Sequence, residues 1–238
     1  MNEYSSCTLC PRNCGIDRNT TIGYCREKSS LHVARASLHM WEEPCISGTN
    51  GSGTVFFSGC NMGCVFCQNR QISRGETGKI ITTERLTEIF FELKEQGANN
   101  INLVTADMFI PSVAKSIDKA RQQGISIPFL LNTSSYLNVD TLKMLDGLID
   151  IYLPDFKYIR EEDAIRYSNS PGYPEAARAA IEEMVRQQPK CEFEDEISFA
   201  KRTDSVYEEG QKIIKKGVIV RHHCSIRYQT HHRHHFHI

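Results

Sequence analysis

The stretch SGCNMGCVFCQN, residues 58–69, contains three cysteines at C-x3-C-x2-C spacing: Cys60, Cys64 and Cys67. An apolar run at residues 54–57 precedes it, so the cysteines are predicted to lie in a loop just past a β-strand. Gly59 and Gly63 let this backbone fold tightly around a bound group. Three thiolates are one fewer than a structural zinc site uses, whereas an iron–sulfur cube on three cysteines leaves one iron open. The pattern indicates a catalytic metal centre; incidental cysteines, or a zinc site with a ligand from elsewhere, are the alternatives.

At these positions the sequence resembles the radical S-adenosylmethionine (SAM) superfamily, whose signature is C-x3-C-x-aromatic-C, with Phe66 as the aromatic residue. The wider run at residues 51–69 is similar to one branch, the proteins described as similar to the pyruvate formate-lyase activating enzyme. The resemblance implies a [4Fe-4S] cluster on the three cysteines and SAM bound to its open iron. Reductive cleavage of SAM would give a 5′-deoxyadenosyl radical that abstracts hydrogen from a substrate. Phe66 would pack against the adenine.

The resemblance also implies partners. A flavodoxin- or ferredoxin-like protein would donate the electron, and the substrate of the branch would be the backbone glycine of a glycyl radical enzyme. No side chain is expected to act as a catalytic acid or base, because the cofactor carries the hard chemistry. Two alternatives stay open: a non-catalytic iron–sulfur or zinc protein, and a truncated inactive relative.

The composition of the chain limits the partners and the cellular compartment that we expect for it. Its 28 Lys and Arg against 29 Asp and Glu give no electrostatic case for nucleic acid as a partner. No apolar run approaches the roughly 18 residues of a membrane span, and the N-terminus lacks the pattern of a signal peptide. Seven of the ten cysteines are grouped at metal-binding spacings, which indicates a reducing compartment. We expect a cytoplasmic protein that binds neither nucleic acid nor membrane.

A second group of cysteines near the N-terminus is spaced C-x2-C-x3-C-x10-C: Cys7, Cys10, Cys14 and Cys25. Four thiolates could close a zinc site or hold a second iron–sulfur cluster, and the spacing does not choose between these metals. Reduced thiols that tie down a loop are the third alternative. The segment resembles the N-terminal segment of the same family branch, so we expect a second metal site of open identity.

The middle of the chain alternates strands with helices, which predicts parallel β/α units. The five predicted strands are 54–58, 101–105, 125–131, 148–153 and 217–221. The family fold is a partial (β/α)6 barrel, and this count is one strand short. We therefore predict a small Cys-rich segment at 1–50, an α/β partial barrel with parallel strands at 51–221 that is incomplete at its C-terminus, and a divergent His-rich tail at 222–238.

Polar residues follow several of the predicted strands, where such sheets bind their ligands. Asn132 and Thr133 resemble a turn of the activating enzymes near the ribose, and Asp155 with Lys157 resembles their D-x-K; ordinary turn chemistry is the alternative. Arg221 matches an arginine that contacts the methionine carboxylate, a task that suits a guanidinium. The turn that holds the methionine amino group in many radical enzymes is absent, and Thr105 or Asp107 could replace it.

The C-terminal part departs from the family. Seven of the nine histidines lie in residues 222–238 without ordered spacing, and this tail is more typical of a shifted reading frame or gene-end accident than of a metal site. The charged stretch at residues 190–216 is predicted to be a solvated insertion. These departures concern the last predicted strand and with it the completeness of the cofactor pocket, while the cysteine loop is unaffected.

Overall fold

The computed structural model describes residues 3–195 and 212–222 of the chain. Its strands are β1 Leu31–His39, β2 Ser52–Phe57, β3 Lys79–Ile81, β4 Ile101–Val104, β5 Phe129–Thr133, β6 Ile151–Phe156, β7 Glu192–Asp195, β8 Lys212–Val218 and β9 Arg221–His222. Its helices are α1 Pro44–Ser47, α2 Arg70–Ser73, α3 Thr83–Glu95, α4 Ile110–Gln122, α5 Val139–Lys143, α6 Glu161–Ser168 and α7 Tyr173–Gln187, with a 3-10 turn at Asp107–Phe109. In this part of the chain no helix is both long and apolar enough to cross a bilayer.

The strands form one mostly parallel sheet. Its centre runs β2, β4, β5, β6 and β8, each parallel to its neighbour. Antiparallel strands flank it: β1 and then β3 beyond β2, and β7 beyond β8, while short β9 pairs in parallel with β6. Helices connect the parallel strands, as right-handed crossover units require. This α/β architecture is consistent with the predicted partial barrel and confirms the fold class.

Helix α3 shows the N-terminal cap and the buried apolar face that are typical of a helix packed on a sheet. The Thr82 side chain accepts a hydrogen bond from the backbone N–H of Arg85 at 3.1 Å, which caps α3. The apolar positions of α3 at 3.6-residue spacing are all buried: Leu86, Ile89, Phe90 and Leu93. They join the largest core cluster, which α3 and α4 form against one face of the sheet. Burial of such a side chain contributes roughly 1.5–3 kcal/mol, which explains why this face is a continuous apolar layer.

The opposite face of the sheet is covered by α1. Ile46 of α1 is fully buried and packs with Leu130, Ile151 and Leu153. Because side chains alternate between faces along a strand, residues two positions further along β5 and β6 share this inner face. Asn132 and Asp155 are such residues, so the strand alternation itself aims them into the space above α1.

The observed bounds of three strands differ from the predicted ones. β5 begins at Phe129 and not at residue 125, because the N–H of Ile125 still bonds the Ala120 carbonyl at 3.1 Å to close the end of α4. β6 likewise begins at Ile151 and extends to Phe156. The predicted last strand, 217–221, is divided into the end of β8 and the two-residue β9.

Two strands at the sheet edge were not predicted. In β1 only Leu31 and Val33 are buried, and a bulge between Val33 and Arg35 interrupts its pairing with β2. The irregular burial explains why its sequence alternates only loosely. β3 is three residues long and pairs with β1. The predicted N-terminal segment 1–50 therefore adds α1 and strand β1, which lies between β2 and the edge strand β3, to the sheet that the rest of the chain builds.

The charged stretch at 190–216 is not a solvated insertion throughout, and for part of its length that prediction was wrong. Residues 192–195 form β7, which pairs antiparallel with β8 at residues 212–216. Backbone pairing accepts charged side chains at a sheet edge, so charge alone did not exclude strands there. Residues 196–211 and the predicted tail after residue 222 lie outside the described residues.

Candidate functional site

The cysteine loop, residues 58–69, leaves the sheet at the carboxyl end of β2. Gly59 makes the first turn at φ +82° and lies against the N-terminal segment. A Cβ atom at this position would stand 2.6 Å from the Cys25 carbonyl oxygen and 2.4 Å from Glu27 Cγ. Only glycine fits such a close approach at positive φ. The backbone N–H of Cys60 then bonds the Cys25 carbonyl at 3.1 Å, so the two cysteine-bearing segments are in contact.

The far side of the loop rests on the C-terminal end of α6. The N–H of Val65 bonds the Tyr167 carbonyl at 2.9 Å, and Ser168 Oγ donates to Cys64 Sγ at 2.9 Å. Asn61 Nδ2 donates to the Tyr136 carbonyl at 2.6 Å, which ties the loop to the segment after β5. The loop is therefore held from three sides.

The thiols of the loop act on one another electrostatically. Burial raises the pKa of Cys60 to about 12, the Met62 N–H opposes this, and negative charge on Cys64, Asp107 or Cys67 raises it further. A thiol with this pKa is protonated at neutral pH unless a cation takes the place of the proton. In the described part of the chain no three Cys, His, Asp or Glu side chains are already arranged to hold a metal ion. Ligation by this loop therefore rests on its spacing and donor chemistry.

The N-terminal segment is anchored by two arginines. Arg18 is buried and donates to three backbone carbonyls: Glu27 at 3.2 Å, Lys28 at 2.6 Å and Met108 at 2.7 Å. Arg12 donates to the carbonyls of Asn61 at 2.5 Å and Asn169 at 2.6 Å. Its guanidinium carbon also lies 3.4 Å from the centre of the Tyr24 ring. Arg12 thus bridges the cysteine loop and the end of α6.

The four N-terminal cysteines lie within this anchored segment. Burial raises the pKa of Cys10 to about 11, and negative charge on Cys25, Cys7 or Cys14 adds to the rise. Cys7 and Cys25 are buried, whereas Cys14 is exposed. Arg18 Nη1 lies 3.9 Å from Cys7 Sγ. The four sulfurs are electrostatic neighbours, but their role as metal ligands stays a prediction.

A charged cluster lies at the carboxyl ends of β5, β6 and β9. Arg221 is the register partner of Asp155, and its Nε lies 2.9 Å from Asp155 Oδ1. Arg221 Nη2 donates to Asn132 Oδ1 at 2.5 Å, and Lys157 Nζ donates to Asp155 Oδ2 at 2.5 Å. The four predicted residues Asn132, Asp155, Lys157 and Arg221 are therefore brought together. Their side chains are fixed by one another, as preorganised recognition of a polar ligand requires.

Two carboxylates that were not predicted complete this cluster. Arg221 Nη1 lies 3.7 Å from Glu43 Oε1 and 3.9 Å from Glu42 Oε2. Both glutamates directly precede α1, which carries them to the inner face of the sheet. Burial raises the pKa of Glu42, the charge of Arg221 lowers it, and Glu43 and Asp155 raise it. Two adjacent acidic residues before a proline are typical of a turn, and only the position of α1 shows that they lie beside Arg221.

Asp107 is fully buried beside the loop after β5. Burial raises its pKa to about 7, while hydrogen bonds to the side chains of Thr133 and Ser134 oppose the shift. Its Oδ1 is buried without a hydrogen-bond partner. Thr133 therefore contacts Asp107 and does not join the Arg221 cluster. Thr105 was the other residue expected to replace the absent turn that holds the methionine amino group. Its backbone is left-handed, with φ +57°.

Aromatic side chains connect the cysteine loop with the strand ends. Phe66 packs edge to face on Tyr158 with ring centres 6.3 Å apart, and Tyr158 packs on Tyr173 at 5.5 Å. Tyr173 Oη donates toward the carbonyls of Ser134 and Asp155, each at 2.9 Å. Phe66 thus lies in this aromatic cluster, and the cluster links the cysteine loop to the residues around Asp155.

The chain matches a protein-family model over the region that contains this arrangement. The model of the "Radical SAM superfamily" matches residues 54–194, more than half of the chain, from the strand before the cysteine loop to β7. The chain belongs to the radical SAM superfamily. Its Cys60, Cys64, Phe66 and Cys67 occupy the signature positions of that family, at the carboxyl edge of the parallel strands.

A curated relative of this radical SAM protein is an uncharacterized protein of Methanocaldococcus jannaschii. The two are 32% identical over 178 residues, which cover 72% of this chain and 51% of the relative. The chain thus spans about half the length of the curated relative that it matches. Because that relative is uncharacterized, it adds no substrate or partner.

Membership of the superfamily implies a [4Fe-4S] cluster and SAM as cofactors. The donor set of the cysteine loop fits such a cluster in its chemistry, because the loop supplies three thiols at C-x3-C-x2-C spacing and iron–sulfur clusters are held by thiolates. In this radical SAM protein the sequence reasoning missed Glu42, Glu43, Arg12 and Ser168. Arg12 stands between two cysteines of CPRNC, which was a usable signal, whereas nothing in the sequence pointed to Ser168.

Proposed function

We propose that this chain is an enzyme in which Cys60, Cys64 and Cys67 hold a [4Fe-4S] cluster and the strand-end cluster positions SAM. The supporting observation is that the cysteine loop and the strand-end cluster lie at the same edge of the sheet. The cysteine loop follows β2, and Asn132, Asp155 and Arg221 lie at the ends of strands parallel to β2. Ligands of parallel sheets bind at this edge, so cluster and SAM would be neighbours there.

Held by Cys60, Cys64 and Cys67, the cluster would supply the one-electron reduction by which SAM is cleaved to start hydrogen abstraction from the substrate. The protein contributes positioning. Gly59 allows the loop to turn against the N-terminal segment, and α6 fixes the loop from the other side. No residue of the chain is assigned as an acid or base.

Arg221 is the residue that we assign to the SAM carboxylate. Its Nε and Nη2 are held by Asp155 and Asn132. Its Nη1 approaches the glutamates only at 3.7 and 3.9 Å, which is longer than a hydrogen bond. This nitrogen is therefore the one assigned to the ligand, with Asn132 and Lys157 toward the ribose and Phe66 toward the adenine.

The direct test is anaerobic. The protein is loaded with iron and sulfide, reduced and given SAM, and 5′-deoxyadenosine is measured. We expect cleavage in the wild type and in Cys191→Ala, an exposed cysteine outside the loop, but not in Cys64→Ala. Absence of both cleavage and any spectral response to SAM would refute the proposal. Equal cleavage in Cys64→Ala would refute the assignment of the loop.

For the substrate, we propose the backbone glycine of a glycyl radical enzyme, with an electron donor of the flavodoxin or ferredoxin class and a cytoplasmic location. The support is the similarity of residues 51–69 and of the N-terminal segment to the activating-enzyme branch. A partner enzyme with deuterated glycine should transfer deuterium into 5′-deoxyadenosine and acquire a glycyl radical signal in electron paramagnetic resonance. Cleavage of SAM without deuterium transfer would contradict this substrate.

We further propose that Cys7, Cys10, Cys14 and Cys25 hold a second metal, either zinc or an iron–sulfur cluster. The support is their spacing and their mutual electrostatic effect. A variant with Cys60, Cys64 and Cys67 all changed to Ala isolates this site for elemental analysis. We expect metal to stay bound in that variant and to be lost when the N-terminal cysteines are also replaced; no bound metal would contradict the second site.

A further inference from the structure

A buried chain of hydroxyl groups ends on the sulfur of Cys64. Ser168 Oγ donates to Cys64 Sγ at 2.9 Å, and Tyr158 Oη lies 2.5 Å from Ser168 Oγ. Ser168 is 1% exposed and Tyr158 5% exposed. Both hydroxyls are therefore shielded from water, and hydrogen bonds in such surroundings are stronger than at the surface.

The direction of the hydrogen bonds follows from counting protons. A ligating thiolate carries no hydrogen and can only accept, so the single hydroxyl hydrogen of Ser168 must point to Cys64. Ser168 Oγ then accepts, and Tyr158 donates to it. Each bond in such a chain polarises the next, so the Tyr158 hydroxyl strengthens the bond that reaches the sulfur.

Both hydroxyls are held in place by the fold. Ser168 is the last residue of α6, and Asn169 ends the helix in the left-handed conformation at φ +46°. The Val65 N–H to Tyr167 carbonyl bond fixes the cysteine loop to the same turn. The Tyr158 ring is packed between Phe66 and Tyr173. The contact is thus built by three separate elements, α6, the cysteine loop and the aromatic cluster.

We propose that Ser168, backed by Tyr158, is a positioning residue that raises the reduction potential of the cluster through its hydrogen bond to Cys64. This inference rests on the proposed function, because it requires Cys64 to ligate the [4Fe-4S] cluster. Reduction adds one negative charge to the cluster and its sulfurs. A hydrogen bond to a ligand sulfur stabilises that state more than the oxidised one, and such bonds are known to set cluster potentials.

The experiment measures the midpoint potential of the loaded protein by potentiometry with visible and electron paramagnetic resonance spectra. For Ser168→Ala we expect the reduction equilibrium to become about tenfold less favourable, which is about 59 mV more negative for one electron. Ser116→Ala is the matched control, because Ser116 is a buried helical serine whose hydroxyl meets only backbone carbonyls in α3 and α4. Its potential should equal that of the wild type.

Tyr158→Phe keeps the ring and removes the hydroxyl, so we expect a smaller shift in the same direction. An unchanged potential in Ser168→Ala would overturn the inference. If Ser168→Ala binds no cluster, Tyr158→Phe alone decides, and a wild-type potential there overturns it.

The wild type separates this inference from the function on which it rests. If the wild-type protein assembles no cluster that depends on Cys64, the proposed function fails and the inference with it. If it assembles the cluster and cleaves SAM while all variants keep one potential, only the inference fails.

Discussion

Arg221 and Asp155 face each other across β9 and β6 as register partners, and their side chains meet with 2.9 Å between Nε and Oδ1. Lys157 shares the same carboxylate through its other oxygen. One aspartate thus fixes two cations at the edge of the sheet where the cysteine loop also lies. Glu42 and Glu43 lie farther from Arg221, at 3.9 and 3.7 Å, so Asp155 is the nearest anion in the proposed SAM site.

Replacing Asp155 by Asn should destabilise the protein. Arg221 and Lys157 would lose their common counterion while they stay mostly buried, at a cost of roughly 2–3 kcal/mol. Urea unfolding measures the loss, and equilibrium dialysis should show weaker SAM binding. Asp140→Asn is the control, because Asp140 pairs with Lys143 at an exposed position. Equal effects of the two changes would show that the strand-end pair has no special role.

Asp107 should make stability depend on pH. Its pKa rises from 3.8 to about 7 on folding, so between these values the folded chain holds a proton that the unfolded chain has released. Stability then falls as pH rises, by up to about 1.4 kcal/mol per pH unit. Asp107→Asn cannot titrate, so the difference in unfolding free energy between wild type and variant should change across this window. Parallel curves in metal-free protein would contradict the burial of an ionisable Asp107.

Gly59→Ala should disturb the cysteine loop more than strain alone explains. Its new Cβ would meet the Cys25 carbonyl at 2.6 Å in addition to the cost of positive φ. Gly97→Ala is a matched control at φ +91° with nothing within 4 Å of the new atom. We expect about 1 kcal/mol for Gly97→Ala and roughly 3 kcal/mol or more for Gly59→Ala. Thermal unfolding and iron content per chain measure both, and similar values would contradict the close contact.

Arg12→Ala should loosen the cysteine loop without touching any cysteine. The change removes both carbonyl contacts, at Asn61 and Asn169, and the stacking on Tyr24. We expect about 1–2 kcal/mol less local stability, seen as faster hydrogen exchange at the amide of Val65. Arg166→Ala, which removes a guanidinium that lies only over the Tyr167 ring, should leave that exchange rate unchanged. Wild-type exchange in Arg12→Ala would show that the loop does not depend on the N-terminal segment.

Much of the candidate site could be predicted because it depends on neighbours in sequence or on strand ends. The three loop cysteines lie within eight residues, and their spacing is a covalent property of the chain. Asn132, Asp155 and Arg221 follow strands that periodicity predicts, and parallel strands bring their carboxyl ends to one edge. Thr133 was grouped with them, but its neighbour Asn132 takes the inner face and Thr133 turns to Asp107.

The sequence by itself determined the cysteine spacing, the helix cap at Thr82, the alternation of strands and helices, and from these the family. Only the tertiary structure decided what surrounds the sulfurs and the charges. Ser168 and Cys64 are 104 positions apart, Arg12 and Asn61 are 49 apart, and Glu43 meets Arg221 from the other end of the chain. Local patterns carry no information on such contacts, because they form only when the packing of α1, α6 and the N-terminal segment against the sheet brings distant residues together.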